Sequence, residues 1–141
     1  MKTLSNKLSE AIQQGLQDME LCLNDPNYII NFSTWHYPLL VQFNEESKCE
    51  VCFAGSVMAK SLDVNKDLNT NPSHFSNDVE NMLYALDEVR NGDISQALKF
   101  ISLDIAKYPR LPSSIDVNQN DYNQFKDDMR TAIDMLKAEG L

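Results

Sequence analysis

Two cysteines separated by two residues, in Cys49-Glu50-Val51-Cys52, form the only spacing in the chain that resembles a reactive site. Thiolates so placed grip one metal ion or close a reversible disulfide. A structural zinc site needs two further ligands, and the only histidines are His36 and His74. The set would then be His36, Cys49, Cys52 and His74, whose separations are unlike the paired spacing of common zinc modules. No strand-helix-strand context surrounds the pair to suggest thiol redox chemistry. The plainer reading is preferred: Cys52 packs as a small apolar residue on a buried helix face, Cys49 is less constrained, and no metal or cofactor is expected. Cys22 brings the cysteines to three, an odd number that argues for free thiols in a reducing compartment.

Other chemistries find less support. Gly55-Ser56-Val57-Met58 lacks the second glycine of a nucleophile elbow, and the four glycines, at 15, 55, 92 and 140, are too far apart for a phosphate loop. The small residues at 54, 55, 56 and 59 instead let another backbone approach closely, most simply in helix packing. No catalytic residue is assigned, and the chain is expected not to be an enzyme. Two surfaces remain as binding candidates. Trp35, His36 and Tyr37 form the densest aromatic cluster and lie in an irregular segment, where functional side chains tend to be carried; against this, Trp35 would serve equally well as a core plug. Asp127, Asp128 and Asp134 on the last helix, with Asp121 and Glu139, and Asp78, Glu80, Asp87 and Glu88 on the third, could form an acidic face for a basic protein partner. The plain alternative is a solvated surface.

Twelve Lys and Arg against 21 Asp and Glu leave a net charge of −9, which argues against direct binding of nucleic acid. The longest nearly uncharged run, Val51 to Ala59, falls far short of the ~20 residues needed to span a bilayer, and Glu10 with the glutamines at 13 and 14 interrupts any secretory core at the amino terminus. A soluble, cytoplasmic protein is expected.

The elements that must position these residues follow from hydrophobic period. Leu4, Leu8, Ala11, Ile12, Leu16, Met19 and Leu23 recur at three- and four-residue steps and mark a first helix, stopped by Asn24-Asp25-Pro26-Asn27. Tyr28 to Pro38 has no helical period. Leu39 to Phe43 suits a short strand. The favoured reading of the next segment is a helix from about Lys48 to Leu62, with Ser47 and Glu50 as a capping box; its rival pairs Leu39–Phe43 with Lys48–Phe53 as a hairpin. Asp63 to Ser73 reads as a surface loop that offers no site. Val79, Met82, Leu83, Leu86 and Val89 mark a third helix behind Ser76 or Asn77; Asn91-Gly92 ends it, Asp93 caps a shorter helix marked by Ile94, Ala97, Leu98 and Ile101, and Val79 to Ile105 reads as an antiparallel helical hairpin. Tyr108 to Val117 reads as an extended crossover. Tyr122, Phe125, Met129, Ala132, Ile133 and Leu136 mark the last helix, begun by Asn118 with Asp121 three residues on, or by Asn120, and ended by Gly140.

The expected fold is mainly α: a single-domain bundle of four to five helices over residues 1–141, with a short β-hairpin or irregular segment at 28–53. Leu21, Tyr28, Ile29 and Ile30 add apolar surface suited to a homodimer. Thr34-Trp35-His36 followed by Cys49-Glu-Val-Cys-Phe-Ala-Gly-Ser-Val-Met-Ala resembles a pattern in small phage- and prophage-encoded proteins of unassigned activity. The resemblance implies no catalytic residue. It implies a context in which proteins of this size bind and block, or shield from, a host protein, including components that handle nucleic acid in defence. The expected function is thus a small acidic interaction module of phage accessory or inhibitor type, the alternative being a ligand- or metal-binding domain built on Trp35 to Cys52.

Overall fold

A computed structural model describes residues 3–39, 48–101 and 122–141 of the chain. The protein is mainly helical, with a small sheet. In order the elements are α1 (Leu8–Leu23), β1 (Tyr28–Ile30), β2 (His36–Pro38), β3 (Cys49–Val51), α2 (Phe53–Lys60), a 3-10 turn (Pro72–His74), α3 (Asn77–Arg90), α4 (Ile94–Phe100) and α5 (Tyr122–Ala138).

Helix α1 buries Leu8, Ala11, Ile12, Leu16 and Met19 of the stripe that its period specifies, with Cys22 beside them, while Leu23 is only partly buried. Leu4 lies before the first turn yet still packs against the core. One orphan donor of that turn, the Ser9 N–H, donates to the Leu141 carbonyl at 3.3 Å, and the Ser9 hydroxyl donates to the same oxygen at 2.8 Å. Helices α2 and α5 pack on α1. The small residues of α2 permit close contact, and the fully buried Phe53 ring lies over Gly15 and meets Phe125 edge-on at 5.3 Å. Burying one such ring contributes about 2–3 kcal/mol. Helices α3 and α4 form the expected hairpin: Gly92 takes φ 82° after α3, and the Asp93 carboxylate accepts from the Gln96 N–H.

Between 48 and 62 the expected single helix divides. Cys49–Val51 is the central strand of a three-stranded sheet of order β1-β3-β2, parallel to β1 and antiparallel to β2. Helix α2 begins only at Phe53, and its N-cap is Cys52, whose Sγ accepts from the Gly55 N–H at 3.2 Å. Glu50, expected in a capping box, is a strand residue paired with Ile29 and Tyr37. Pairing on both edges satisfies more backbone groups than one further helical turn would, and tertiary context overrides the local signal. The rival hairpin placed this strand correctly but chose another partner, since β3 pairs with His36–Pro38. Leu39 extends that ladder by donating to Lys48 O at 2.8 Å. The rest of the proposed Leu39–Phe43 strand, the end of the Val79–Ile105 hairpin beyond 101, the Tyr108–Val117 crossover and the Asn118–Asp121 helix start lie outside the described residues.

Candidate functional site

Strand register decides which candidates meet. His36 pairs with Val51, and Pro38 with Cys49, so the His36 and Cys49 side chains are diagonal neighbours on one face of the sheet. That face turns inward, and both residues are fully buried. Tyr37 points the other way and is 45% exposed. The aromatic segment is therefore split: His36 belongs to the interior, Tyr37 to the surface, and Trp35 lies partly exposed against Tyr84 of α3, ring edge to face at 5.8 Å.

Around His36 the polar geometry is specific. Its Nδ1 lies 2.7 Å from the Leu68 carbonyl, an acceptor only, so Nδ1 carries the proton and donates. Its Nε2 is buried with no hydrogen-bond partner among the described residues. Its own backbone carbonyl accepts from the Thr70 N–H at 3.0 Å, closing an antiparallel bridge. The Asp63–Ser73 segment, read as a loop without a site, thus supplies two contacts that hold β2.

Cys49 Sγ lies 3.6 Å from His36 Nδ1, but the pair cannot work as a nucleophile and base. The nearby nitrogen is already a donor, and a base needs a free lone pair there. Burial pushes the Cys49 thiol up to about 11 and lowers the imidazole below its usual range, so both charged forms are disfavoured. Cys22 and Cys52 are pushed up to about 12, likewise chiefly by burial. All three cysteines are free and buried; Cys49, expected to be the less constrained, is as enclosed as Cys52. The four hypothetical zinc ligands do not converge. Cys52 caps α2, whereas His74 is exposed and accepts from the Asn71 N–H through Nδ1. Among the described residues, no group of three or more His, Cys, Asp or Glu is placed to hold a metal ion.

The acidic candidates separate as well. Asp127 and Asp134 are exposed, but Asp128 is only 7% exposed, with one oxygen accepting from Gln124 at 2.9 Å. Its position explains this, since 128 lies three residues after Phe125 and four before Ala132, on the buried stripe. Lys126, Arg130 and Lys137 interleave with the remaining α5 carboxylates, and Arg130 lies 3.8 Å from Asp127. Asp121 lies outside the described residues. The outer face of α5 is consequently mixed rather than acidic. Helix α3 differs: none of Asp78, Glu80, Asp87 and Glu88 is buried, and its one cation, Arg90, is tucked in, 3.2 Å from Asp87 and over the Phe32 ring at 5.0 Å. Tyr84, one helical turn from Glu80, Asp87 and Glu88, is the middle of a partly exposed aromatic row, Trp35, Tyr84 and Phe100, with Tyr84 and Phe100 centroids 5.4 Å apart. Tyr84 and Phe100 were not among the sequence candidates. The available signal was an aromatic at 84, off the apolar stripe of α3.

A groove of about 380 Å³ lies nearby, between the amino-terminal segment and the α3–α4 hairpin, lined by Leu4, Asn6, Asp78, Met82 and Ile101 among others. Of the apolar set suited to a dimer, Tyr28 and Ile30 pack inward on Cys22, Cys49 and Val51, leaving Leu21, 52% exposed, and Ile29. Compared with protein-family models, curated proteins and solved structures, the chain matches none. No helix among the described residues is long and apolar enough to cross a membrane.

Proposed function

We propose that the protein is a small, non-enzymatic, cytoplasmic interaction module of phage accessory or inhibitor type, binding a basic protein partner through the acidic and aromatic face of α3. The observation that carries this reading is the row Trp35, Tyr84 and Phe100, partly exposed beside the α3 carboxylates. Aromatic anchors beside carboxylates suit a partner that brings cations, since long-range attraction speeds encounter and the rings supply contact area and cation–π attraction. The buried thiols and imidazole support the non-enzymatic half of the reading, because no strong nucleophile among them is open to solvent.

The test is affinity capture from host lysate, identification of the captured protein, and titration with the purified partner. Glu80→Lys with Glu88→Lys, and separately Tyr84→Ala, should each weaken binding tenfold or more, about 1.4 kcal/mol, while Asp127→Lys with Asp134→Lys changes it little. Binding that survives the α3 changes, or is indifferent to salt, would sink the assignment of this face. The second reading, a ligand- or metal-binding domain in the Trp35 to Cys52 region, is favoured by one observation, the buried Nε2 of His36, which has no hydrogen-bond partner among the described residues. Metal analysis decides it: about one zinc per chain, lost on Cys49→Ser with Cys52→Ser, would replace the plain packing role of these thiols.

A further inference from the structure

We propose that His36 is a pH-sensitive latch, whose protonation at Nε2 releases residues 63–71 from the edge of the sheet. The loop is tied to β2 through this one residue twice, by the side-chain bond from Nδ1 to Leu68 O at 2.7 Å and by the Thr70 N–H donating to His36 O at 3.0 Å. Neutral imidazole suits the arrangement. Its single N–H is satisfied, and the bare lone pair on Nε2 costs less in the interior than a bare N–H carrying charge. A second proton changes that balance, because Nε2–H then finds no acceptor among the described residues and the charge sits on a fully buried ring.

The surrounding groups offer little compensation. Cys49 on β3 touches the ring but is held as a neutral thiol. Tyr28 on β1 is pushed up to about 12, and Lys60 on α2 is paired with Asp25 at 2.8 Å. In the loop, Lys66 donates to the Asn27 side chain, and Asp67 is exposed. Burial accordingly lowers the affinity of His36 for a second proton, with the Leu68 hydrogen bond opposing it.

The sign follows. A histidine that binds its proton less well in the closed form than in the open one favours opening as pH falls below about 6.5. Opening would free the segment that bears Leu68, 56% exposed, from the strand that bears Tyr37, 45% exposed.

Amide hydrogen exchange on the full chain tests the latch without any partner. The protection factor of the Thr70 amide should fall between about fivefold and about 25-fold from pH 7.0 to 5.0, the upper figure being the linkage limit for a group that titrates near 6.5 when open. Amides of α1 should hold their protection. His36→Asn, which keeps a donor near Nδ1 but does not titrate, should abolish the fall. His74→Gln, which removes the other histidine near the loop, should leave it. Loss of protection that is absent in the wild type, that persists in His36→Asn, that disappears in His74→Gln, or that is shared by α1 would overturn the proposal. The His36 ring resonance in the wild type gives an independent reading that needs no variant to fold, and a titration midpoint at or above 6.5 would overturn it equally.

Discussion

The carbonyl oxygen of Trp35 occupies the place that a side chain at residue 55 would need: a Cβ on Gly55 would stand 1.7 Å from that oxygen and 3.2 Å from the Val51 Cβ. The contact joins the start of β2 to the first turn of α2, and the Cys52 N–H donates to the same carbonyl at 3.2 Å. The small residues of α2 thus admit the backbone at a sheet edge as well as the expected packing against helix α1.

Gly55→Ala should be among the most destabilising single changes in the protein. The obstructing atom is backbone, held by a hydrogen bond, so relief requires moving β2 or the start of α2. A loss of more than about 3 kcal/mol is expected, read as a lower midpoint in urea denaturation or as loss of soluble protein. A Gly55→Ala variant as stable as the parent would show that this junction is loose.

Gly15→Ala should cost less and be rescuable. Its Cβ would stand 2.6 Å from Phe53 Cζ, the far end of a side chain, and overpacking of this kind costs about 1–3 kcal/mol. Phe53→Leu opens space at the same point while losing buried ring area. The double variant should therefore be more stable than the sum of the two single losses predicts, a coupling measured by a double-mutant cycle.

The thiols should be silent in the native state. With Cys22, Cys49 and Cys52 buried and pushed up to between about 11 and about 12, almost no thiolate exists at pH 8, and access is blocked as well. A disulfide reagent at pH 8 should titrate no thiol in the folded protein and all three after denaturation. Fast modification of even one would contradict the burial.

Acid should weaken the tie between the first loop and α2. The Lys60 ammonium, 2.8 Å from Asp25, holds that carboxyl below its ordinary value of 3.8, helped by the Asn27 backbone N–H. Because the folded value is depressed, the stabilisation is complete above pH 3.8 and is lost as pH falls through the lower folded value. Both side chains are about a quarter exposed, so the pair contributes at most about 1 kcal/mol. Lys60→Met should therefore lower stability near neutrality by at most about 1 kcal/mol and flatten the stability-against-pH curve below pH 4, where the pair is lost in the parent as well.

The helical half of the fold was legible in the sequence, because helical period and caps act over a few residues. The stripes of α1, α3 and α5, the stop at Asn24-Asp25-Pro26, the Asn91-Gly92-Asp93 turn and the end at Gly140 all follow from neighbours along the chain. The burial of Asp128 could also have been read from its place on the α5 stripe.

What the sequence could not decide by itself was the sheet and everything that depends on it. Strands of three residues carry too short a pattern to be told from a helix start, and each is stabilised by partners distant along the chain: Cys49 by Tyr28 and Pro38, His36 by Val51 and Thr70. Only tertiary pairing turned His36 inward and Tyr37 outward, closed off Cys49, and gave the 63–71 loop its hold on β2. Charge followed the same rule. The sequence determined a net charge of −9, but the folded arrangement of cations decided where it is felt, interleaving them along α5 and tucking Arg90 beneath α3, since potential depends on distance in space rather than along the chain.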